Sequence, residues 1–230
     1  MKNKIIFVAL DCSIQKAKSI IKSIPKNRSK KYQIGLKIGY QIFYAKGGRD
    51  FIKSIKGYPI FLDLKLNDIP NTVKSAMLSI KDLKVNFLTI HASAGSDAIK
   101  IAKKFAGKTK LLAVSVLTSM NSKNLKEMGH TKKLDAVIVQ LAKVAKKSGA
   151  YAMICSPHES SKIKKQTGLP SVTPGIRLPG DSAGDQQRIA TPNFAFNNNA
   201  IGIVMGRSLT NGNIKNNFKK LFDHLKWNPL

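Results

Sequence analysis

Four charged residues have a spacing that suggests chemistry: Lys37, Asp63, Lys65 and Asp68. Asp63 and Lys65 are two positions apart, so on a β-strand they project from one face, and the leucines around them project from the other. Taking such a pair out of water is costly, and tightly grouped titratable residues are typical of catalytic sites. A surface ion pair at a strand end is the alternative, but it accounts poorly for four charges. The residues therefore predict a catalytic centre.

A second set of candidates lies in the last quarter of the chain, which holds three of the five arginines: Arg177, Arg188 and Arg207. Gly206-Arg207 has the composition of a phosphate site. Glycine lets a phosphate approach backbone N–H groups, and arginine can engage two phosphate oxygens. The stretch from Arg177 to Arg188 contains glycines at 180 and 184. It fits a mobile lid and equally an ordinary flexible loop.

Eight short apolar runs supply the elements that must position these residues. They are rich in Ile, Val, Leu and Phe and mostly continuous, as buried parallel strands are, and amphipathic helical segments lie between them. The runs cover residues 5–10, 32–38, 59–66, 85–90, 110–117, 150–155, 171–174 and 200–205. This alternation predicts an α/β fold, a (β/α)8 TIM barrel, as a single domain spanning residues 1–230. An open doubly wound sheet is the rival, but it seldom needs eight strands in so few residues.

In such barrels the active site lies at the carboxyl ends of the strands. In chain order those ends carry Asp11, Lys37, Asp63 with Lys65, His91, Thr118 with Ser119, Arg177 and Arg207. His91 is a candidate base, or equally a histidine held in place by hydrogen bonds. The sequence has no Walker loop and no Gly-x-Gly-x-x-Gly motif. It also has no cluster of His, Asp and Glu that predicts a metal site.

Composition restricts the class of protein. No apolar run approaches the roughly 18 residues of a membrane span, and no signal peptide is indicated. Two isolated cysteines predict neither a disulfide framework nor a zinc site, so we expect a cytoplasmic protein. The formal charge is +28, which is compatible with nucleic-acid binding. The lysine clusters lack interleaved aromatic residues, and no helix-turn-helix or zinc-finger pattern occurs. We therefore expect lysines spread over solvated faces and no nucleic-acid partner.

Residues 61–72, Phe-Leu-Asp-Leu-Lys-Leu-Asn-Asp-Ile-Pro-Asn-Thr, closely resemble the signature of orotidine 5′-phosphate decarboxylases. Other blocks of that family match in order along nearly the whole chain. They are Val-Ala-Leu-Asp at 8–11, Leu-Lys-Ile-Gly at 36–39, Val-Leu-Thr-Ser-Met at 116–120, Val-Thr-Pro-Gly-Ile-Arg at 172–177, Gly-Asp-Gln at 184–186 and Gly-Arg at 206–207. The chain looks most like the bacterial branch. It departs at Ser208, where proline is frequent, and at three asparagines, 197–199, that replace small residues.

The resemblance implies a homodimeric barrel that converts orotidine 5′-phosphate to uridine 5′-phosphate and carbon dioxide, the last step of de novo UMP synthesis, without metal or cofactor. It implies that Lys65 protonates C6 of the pyrimidine, that Asp63 and Lys37 complete the charged group, and that Asp68 and Thr72 reach the neighbouring subunit's site. The other residues implied to bind substrate are Asp11 at the ribose, Thr118 and Ser119 near the pyrimidine, and Arg177, Gln186, Gly206 and Arg207 at the phosphate.

Two alternatives remain. Sugar-phosphate decarboxylases and aldolases of the same superfamily, such as 3-keto-L-gulonate 6-phosphate decarboxylase, share the Asp-x-Lys-x-x-Asp element, need Mg²⁺, and use a carboxylate on the second strand to help hold it. Here that position looks to be Lys37, and an ammonium group cannot ligate Mg²⁺ and would repel it. The other alternative, from a different class, is a basic barrel that only binds nucleic acid.

Overall fold

A closed barrel of eight parallel strands forms the centre of the molecule. The computed structural model describes residues 4–26, 29, 31–182 and 188–227. The strands are β1 (Lys4–Ala9), β2 (Tyr32–Ile38), β3 (Ile60–Leu66), β4 (Phe87–His91), β5 (Lys110–Val114), β6 (Ala152–Ile154), β7 (Ser171–Thr173) and β8 (Ala200–Met205). They pair in chain order, and β1 pairs with β8 to close the barrel. The predicted (β/α)8 fold is confirmed, whereas the single domain over residues 1–230 stays a prediction.

Helices lie between successive strands and after the last one. They are α1 (Ile14–Ser23), α2 (Tyr40–Phe43), α3 (Gly48–Ser54), α4 (Pro70–Ser79), α5 (Gly95–Phe105), α6 (Ser122–Glu127), α7 (Leu134–Lys147), α8 (Ser160–Thr167), α9 (Pro192–Asn197), α10 (Arg207–Thr210) and α11 (Ile214–Leu225). Among the described residues, no helix combines the length and apolar character needed to cross a bilayer.

The barrel interior is closed by three aromatic rings. Phe7 meets Phe61 and Phe87 edge to face, at centroid distances of 5.2 and 5.3 Å, a favourable aromatic arrangement. Gly35 is required beside them, because a Cβ at this position would lie 2.8 Å from the Phe7 ring. This apolar floor leaves the carboxyl ends of the strands as the place for polar side chains.

The outer faces of the strands pack against the apolar faces of the helices, and local signals set the helix ends. The Ser13 side chain accepts a hydrogen bond from the Lys16 backbone N–H and caps α1, as Ser does at helix N-termini. Gly149 follows the C-cap of α7 with φ +88°, a left-handed conformation that glycine adopts without steric cost. These local signals are readable in the sequence.

Several strands are shorter than the apolar runs that predict them. β5 ends at Val114, so Thr118 and Ser119 lie in the following loop, and the prediction that they end a strand is wrong. Val116 is still buried, which explains the error, because the loop beyond this strand also packs apolar side chains. Apolar composition reports burial, whereas a strand also needs a paired backbone.

β3 carries an irregularity where its charged residues begin. Its register against β4 shifts between Leu62 and Leu66, and Lys65 has φ +45°. That left-handed conformation is uncommon for a residue other than glycine. Asp63 and Lys65 were predicted to project from one face of a regular strand. In the structure, the pairing of β3 with β4 is interrupted where these two residues lie.

Candidate active site

A cavity of about 520 Å³ opens at the carboxyl ends of the strands, where the sequence places its predicted site. It is lined by charged side chains in or just after β1, β2 and β3, by the loop after β5, and by arginines after β7 and β8. The predicted residues that line it are Asp11, Lys37, Asp63, Lys65, Thr118, Ser119, Arg177, Gly206 and Arg207. The structure thus brings together side chains that are almost 200 positions apart in the sequence.

Lysines and aspartates alternate along the side of this cavity that β1, β2 and β3 form. Lys37 Nζ lies 2.8 Å from Asp11 Oδ1 and 3.4 Å from Asp63 Oδ2. Lys65 Nζ lies 2.9 Å from the same Asp63 Oδ2. Lys37 and Asp63 are each only 8% exposed. One carboxylate oxygen is therefore shared by two ammonium groups in a mostly buried place, unlike a surface ion pair.

The charge on Asp63 follows from its neighbours. Burial by itself raises the pKa of this carboxyl, but the charges of Lys37 and Lys65 and hydrogen bonds from Lys65 and Thr89 outweigh it, so the pKa lies below its usual range. Asp63 is consequently ionised at neutral pH. An ionised carboxylate between two ammonium groups attracts both of them and holds them in place.

Tyr40 covers the outer side of Lys65. The lysine Nζ lies 5.6 Å from the centre of the Tyr40 ring, within the range of a cation–π contact. The Tyr40 hydroxyl donates to the Leu64 carbonyl at 3.2 Å. The Lys65 side chain retains 28% exposure, so its ammonium group is held by β3 and α2 while remaining accessible from the cavity.

Thr89, on β4, is a site residue that the sequence interpretation missed. It is fully buried, its hydroxyl donates to Asp63 Oδ1 at 2.9 Å, and it accepts the Lys65 backbone N–H at 2.8 Å. The sequence does contain a signal for Thr89, because it is a polar residue inside an apolar strand. It lies two positions before His91 and therefore on the same face of the strand. His91 itself is half-buried, and burial and the charge of Lys65 hold its pKa below the usual range.

The opposite side of the cavity is cationic. Arg177 is mostly buried, and its side chain donates to the carbonyls of Ile176 at 3.1 Å and Ser182 at 3.3 Å. Burial and the nearby charge of Arg207 lower the pKa of Arg177, so the two guanidinium groups lie close enough to repel each other. A bound anion would relieve that repulsion. The nearest atom to a Cβ added at Gly206 would be 3.8 Å away, which leaves this backbone open to a ligand.

The loop between β7 and α9 is closed at its base by backbone hydrogen bonds. Arg177 N–H donates to Ala190 O at 2.9 Å, and Ala190 N–H donates to Gly175 O at 3.1 Å. Arg188, near the end of the loop, forms an ion pair with buried Glu159. Gln186, a predicted phosphate ligand, lies outside the described residues.

Comparison with known proteins identifies the family. A family model described as "Orotidine 5′-phosphate decarboxylase / HUMPS family" matches residues 4–217. The chain belongs to this family.

Relatives and solved structures of the family agree over nearly the whole chain. The chain is 36% identical over 214 residues to an orotidine 5′-phosphate decarboxylase of Idiomarina loihiensis, covering 89% of this chain and 90% of the relative. It is 38% identical over 208 residues to one of Ligilactobacillus salivarius, with 85% and 86% covered. The crystal structure of the decarboxylase from Lactobacillus acidophilus superposes with a TM-score of 0.82 at 34% identity, with 96% and 98% covered.

Two residues of the family signature lie apart from the cavity. Asp68 and Thr72 are exposed and do not line it. The Asp68 carboxylate accepts the backbone N–H of Ile69 at 2.7 Å, and Thr72 lies in the first turn of α4. In a single copy of this family member they therefore contribute nothing to the cavity that Lys65 faces.

The cavity also contains residues that the sequence did not single out. Lys16, from α1, and Thr210 with Asn211, from the end of α10, also line it. Lys16 is one of 40 basic residues, so its type gives no signal. Only the closing of the barrel, which brings β8 beside β1, places these residues together.

The donor set of the cavity is poorly suited to a divalent cation. Within the ranges that the structure describes, no group of three or more His, Cys, Asp or Glu is arranged to hold a metal ion. The carboxylates of Asp11 and Asp63 both face Lys37. An ammonium group occupies the space between the carboxylate oxygens that would attract Mg²⁺.

Proposed function

We propose that this protein decarboxylates orotidine 5′-phosphate to uridine 5′-phosphate and carbon dioxide, without metal or cofactor. Membership of the family and the named decarboxylase relatives support the activity. The observation that carries it within the family is the Lys37–Asp63–Lys65 cluster, with ammonium groups on both sides of one buried carboxylate. Such a site stabilises developing negative charge and supplies a proton without a metal.

Lys65 is the proposed proton donor. When the bond between C6 and the carboxylate breaks, its electron pair stays on C6 and carbon dioxide leaves. The Lys65 ammonium stabilises that charge and then transfers a proton to C6. The resulting amine regains its proton from water. Asp63 Oδ2, 2.9 Å from Lys65 Nζ, holds the ammonium group in place for this transfer.

Repulsion between Asp63 and the substrate carboxylate is a smaller contribution. Two unit charges about 4 Å apart at an effective dielectric of about 20 interact by roughly 4 kcal/mol, or about a thousandfold in rate. A slow decarboxylation needs far more. Electrostatic stabilisation of C6 by Lys65 therefore has to lower the barrier by more than the repulsion does.

The arginine side of the cavity is the proposed phosphate site. Arg177, Gly206 and Arg207 would hold the phosphate, with Gln186 from the loop between β7 and α9. Asp11, whose carboxylate contacts Lys37, would hold the ribose, and Thr118 and Ser119 would contact the pyrimidine. Phosphate binding would thereby fix C6 of the pyrimidine against Lys65.

The decisive experiment adds orotidine 5′-phosphate to the purified protein in the presence of EDTA and follows the loss of its ultraviolet absorbance. We expect turnover, with Lys65→Ala as the inactive control. Activity that appears only with added Mg²⁺, on a sugar phosphate, would support the metal-dependent relatives instead. No turnover of either substrate, with DNA binding that weakens steeply with salt, would support the nucleic-acid-binding alternative.

We also propose a cytoplasmic homodimer in which Asp68 and Thr72 complete the neighbouring subunit's site. Their exposure, and their absence from their own subunit's cavity, support this arrangement. Large apolar side chains are exposed in the neighbouring segments: Tyr44 by 73% and Ile69 by 67%. Burying such side chains against a second copy would be favourable.

A further inference from the structure

Thr89 makes two hydrogen bonds to the proposed catalytic pair, although its own chemistry takes no part in the reaction. The side chain lies on β4, directly beside β3, and is 0% exposed. Its hydroxyl donates to Asp63 Oδ1 and accepts from the Lys65 backbone N–H. One buried hydroxyl therefore contacts both residues of the pair.

The acceptor role matters because β3 is irregular at this point. The pairing of β3 with β4 shifts register between Leu62 and Leu66, and Lys65 has φ +45°. Backbone in this region persists only where its surroundings hold it. The Thr89 hydroxyl lies 2.8 Å from the Lys65 nitrogen and supplies a hydrogen-bond partner to this N–H within the irregular segment.

The donor role fixes the orientation of the Asp63 carboxylate. Its Oδ2 faces Lys37 and Lys65, while its Oδ1 accepts from Thr89. Without the hydroxyl, Oδ1 would lose this donor in a buried place, and the carboxylate would rotate to satisfy both oxygens with the lysines. The distance between Lys65 Nζ and the reacting carbon would change with it.

We propose that Thr89 is a positioning residue, which sets the carboxylate plane of Asp63 and the backbone of Lys65 so that the ammonium group faces the cavity. It acts through these two residues and touches no substrate. The kinetic part of this proposal rests on the proposed decarboxylase activity, whereas the hydrogen bonds to Lys65 and Asp63 do not.

The test compares Thr89→Val, which keeps the shape and removes the hydroxyl, with Thr89→Ser, which keeps the hydroxyl. Thr173→Val is the matched control, because Thr173 is equally buried and its hydroxyl has no hydrogen-bond partner within the described part of the chain. We expect Thr89→Val to lower kcat roughly 30- to 100-fold and to change the Kd for UMP less than about threefold, since misplacement of reacting groups mainly affects kcat. Thr89→Ser and Thr173→Val should keep kcat within about threefold of the unmodified protein.

A second measurement needs no activity. The ¹⁵N and ¹H shifts and the hydrogen exchange of the Lys65 amide report its bond to Thr89. We expect slow exchange in the unmodified protein and Thr89→Ser, and fast exchange in Thr89→Val. If the valine variant does not fold, Thr89→Ala replaces it, because alanine places no methyl against the Asp63 carboxylate.

The outcomes are distinguishable. If the unmodified protein does not turn over orotidine 5′-phosphate, the proposed function fails while the amide measurement still tests the Thr89 bond. An unchanged kcat in Thr89→Val, a loss of kcat in Thr89→Ser as large as in Thr89→Val, or fast exchange of the Lys65 amide in the unmodified protein would each overturn the positioning role.

Discussion

Asp63 determines the electrostatics of the site, because one of its oxygens lies 2.9 Å from Lys65 Nζ and 3.4 Å from Lys37 Nζ. Its pKa is lowered even though burial alone would raise it. With Asp11 included, two ammonium groups face two carboxylates, so any positive charge offered to an anionic substrate is local to one lysine. Asp11, the second carboxylate, pairs with Lys37 and not with Lys65, so Lys65 is the lysine whose charge is least balanced by other carboxylates.

Lys65→Ala should abolish turnover and leave product binding measurable. The variant lacks both the proton donor and the charge that stabilises C6, so we expect kcat to fall by at least about 10⁴-fold. UMP has no charge at C6, so its Kd, measured by calorimetry, should change much less. Lys53→Ala is the control, because Lys53 forms a surface ion pair with Asp82 and should keep normal turnover. Retained turnover in Lys65→Ala would rule out its role as proton donor.

The lowered pKa of Asp63 gives a signed prediction for stability. A carboxyl with a depressed folded-state pKa stabilises the fold above its unfolded-state pKa, about 3.9, and this stabilisation is lost as pH falls through the lower folded-state value. In urea unfolding, the difference between the unmodified protein and Asp63→Asn should therefore be largest near neutral pH and shrink below about pH 4. Asp97→Asn, at a side chain 84% exposed, should show little pH-dependent difference. A constant difference for Asp63→Asn across this range would contradict the assignment.

At single residues, the sequence predicted charged groups better than neutral ones. Asp63, Lys65 and Lys37 were identifiable because charge at a strand end is costly and therefore informative. Thr89 was not found, because a threonine in a strand is common and its importance lies in two hydrogen bonds to another strand. Lys16 could not be distinguished by residue type from the many other lysines. When the role of a side chain depends on the residues that it contacts, only the structure reveals that role.

At the level of elements, the apolar runs located every strand but not every strand end. β5, β6 and β7 are shorter than their runs, because the loops beyond them are also partly buried. The loop between β7 and α9 was equally compatible with a lid and with an ordinary loop. Its base is fastened by the backbone hydrogen bond from Arg177 to Ala190, and Arg177 lines the same cavity as Arg207.

Arg207→Ala tests the phosphate side of the cavity. Arginine can make two charge-assisted hydrogen bonds to a phosphate, so we expect kcat/KM for orotidine 5′-phosphate to fall roughly 100-fold or more. The charged cluster on β2 and β3 should be unaffected, which the Lys65 amide shift can report. Arg49→Ala is the control, since Arg49, on α3, pairs with Asp82 and does not line the cavity. A nearly normal kcat/KM in Arg207→Ala would count against a phosphate site here.

At the scale of the whole molecule, six of the lysines that contribute to the formal charge of +28 share a structural position. Exposed lysine pairs lie in the last turns of three helices: Lys103 with Lys104 in α5, Lys146 with Lys147 in α7, and Lys164 with Lys165 in α8. Cations there interact favourably with the helix dipole. In this barrel the helices run back against the strands, so these turns lie at the face opposite the cavity. Their position gives them no contact with a bound substrate.

Because Asp68 and Thr72 are exposed, the proposal that they complete the neighbouring subunit's site can be tested by mixing two inactive variants. Lys65→Ala and Asp68→Ala should each be inactive as homodimers. In a mixed dimer, the subunit with an intact Lys65 receives an intact Asp68 from its neighbour, so random mixing should restore activity to about a quarter of all sites. Mixing Lys65→Ala with Asp63→Ala is the matched control. Both residues serve their own subunit, no mixed site is complete, and activity should stay absent. If the first mixture also stays inactive although mixed dimers are detected by mass, Asp68 acts within its own subunit and the shared site is refuted.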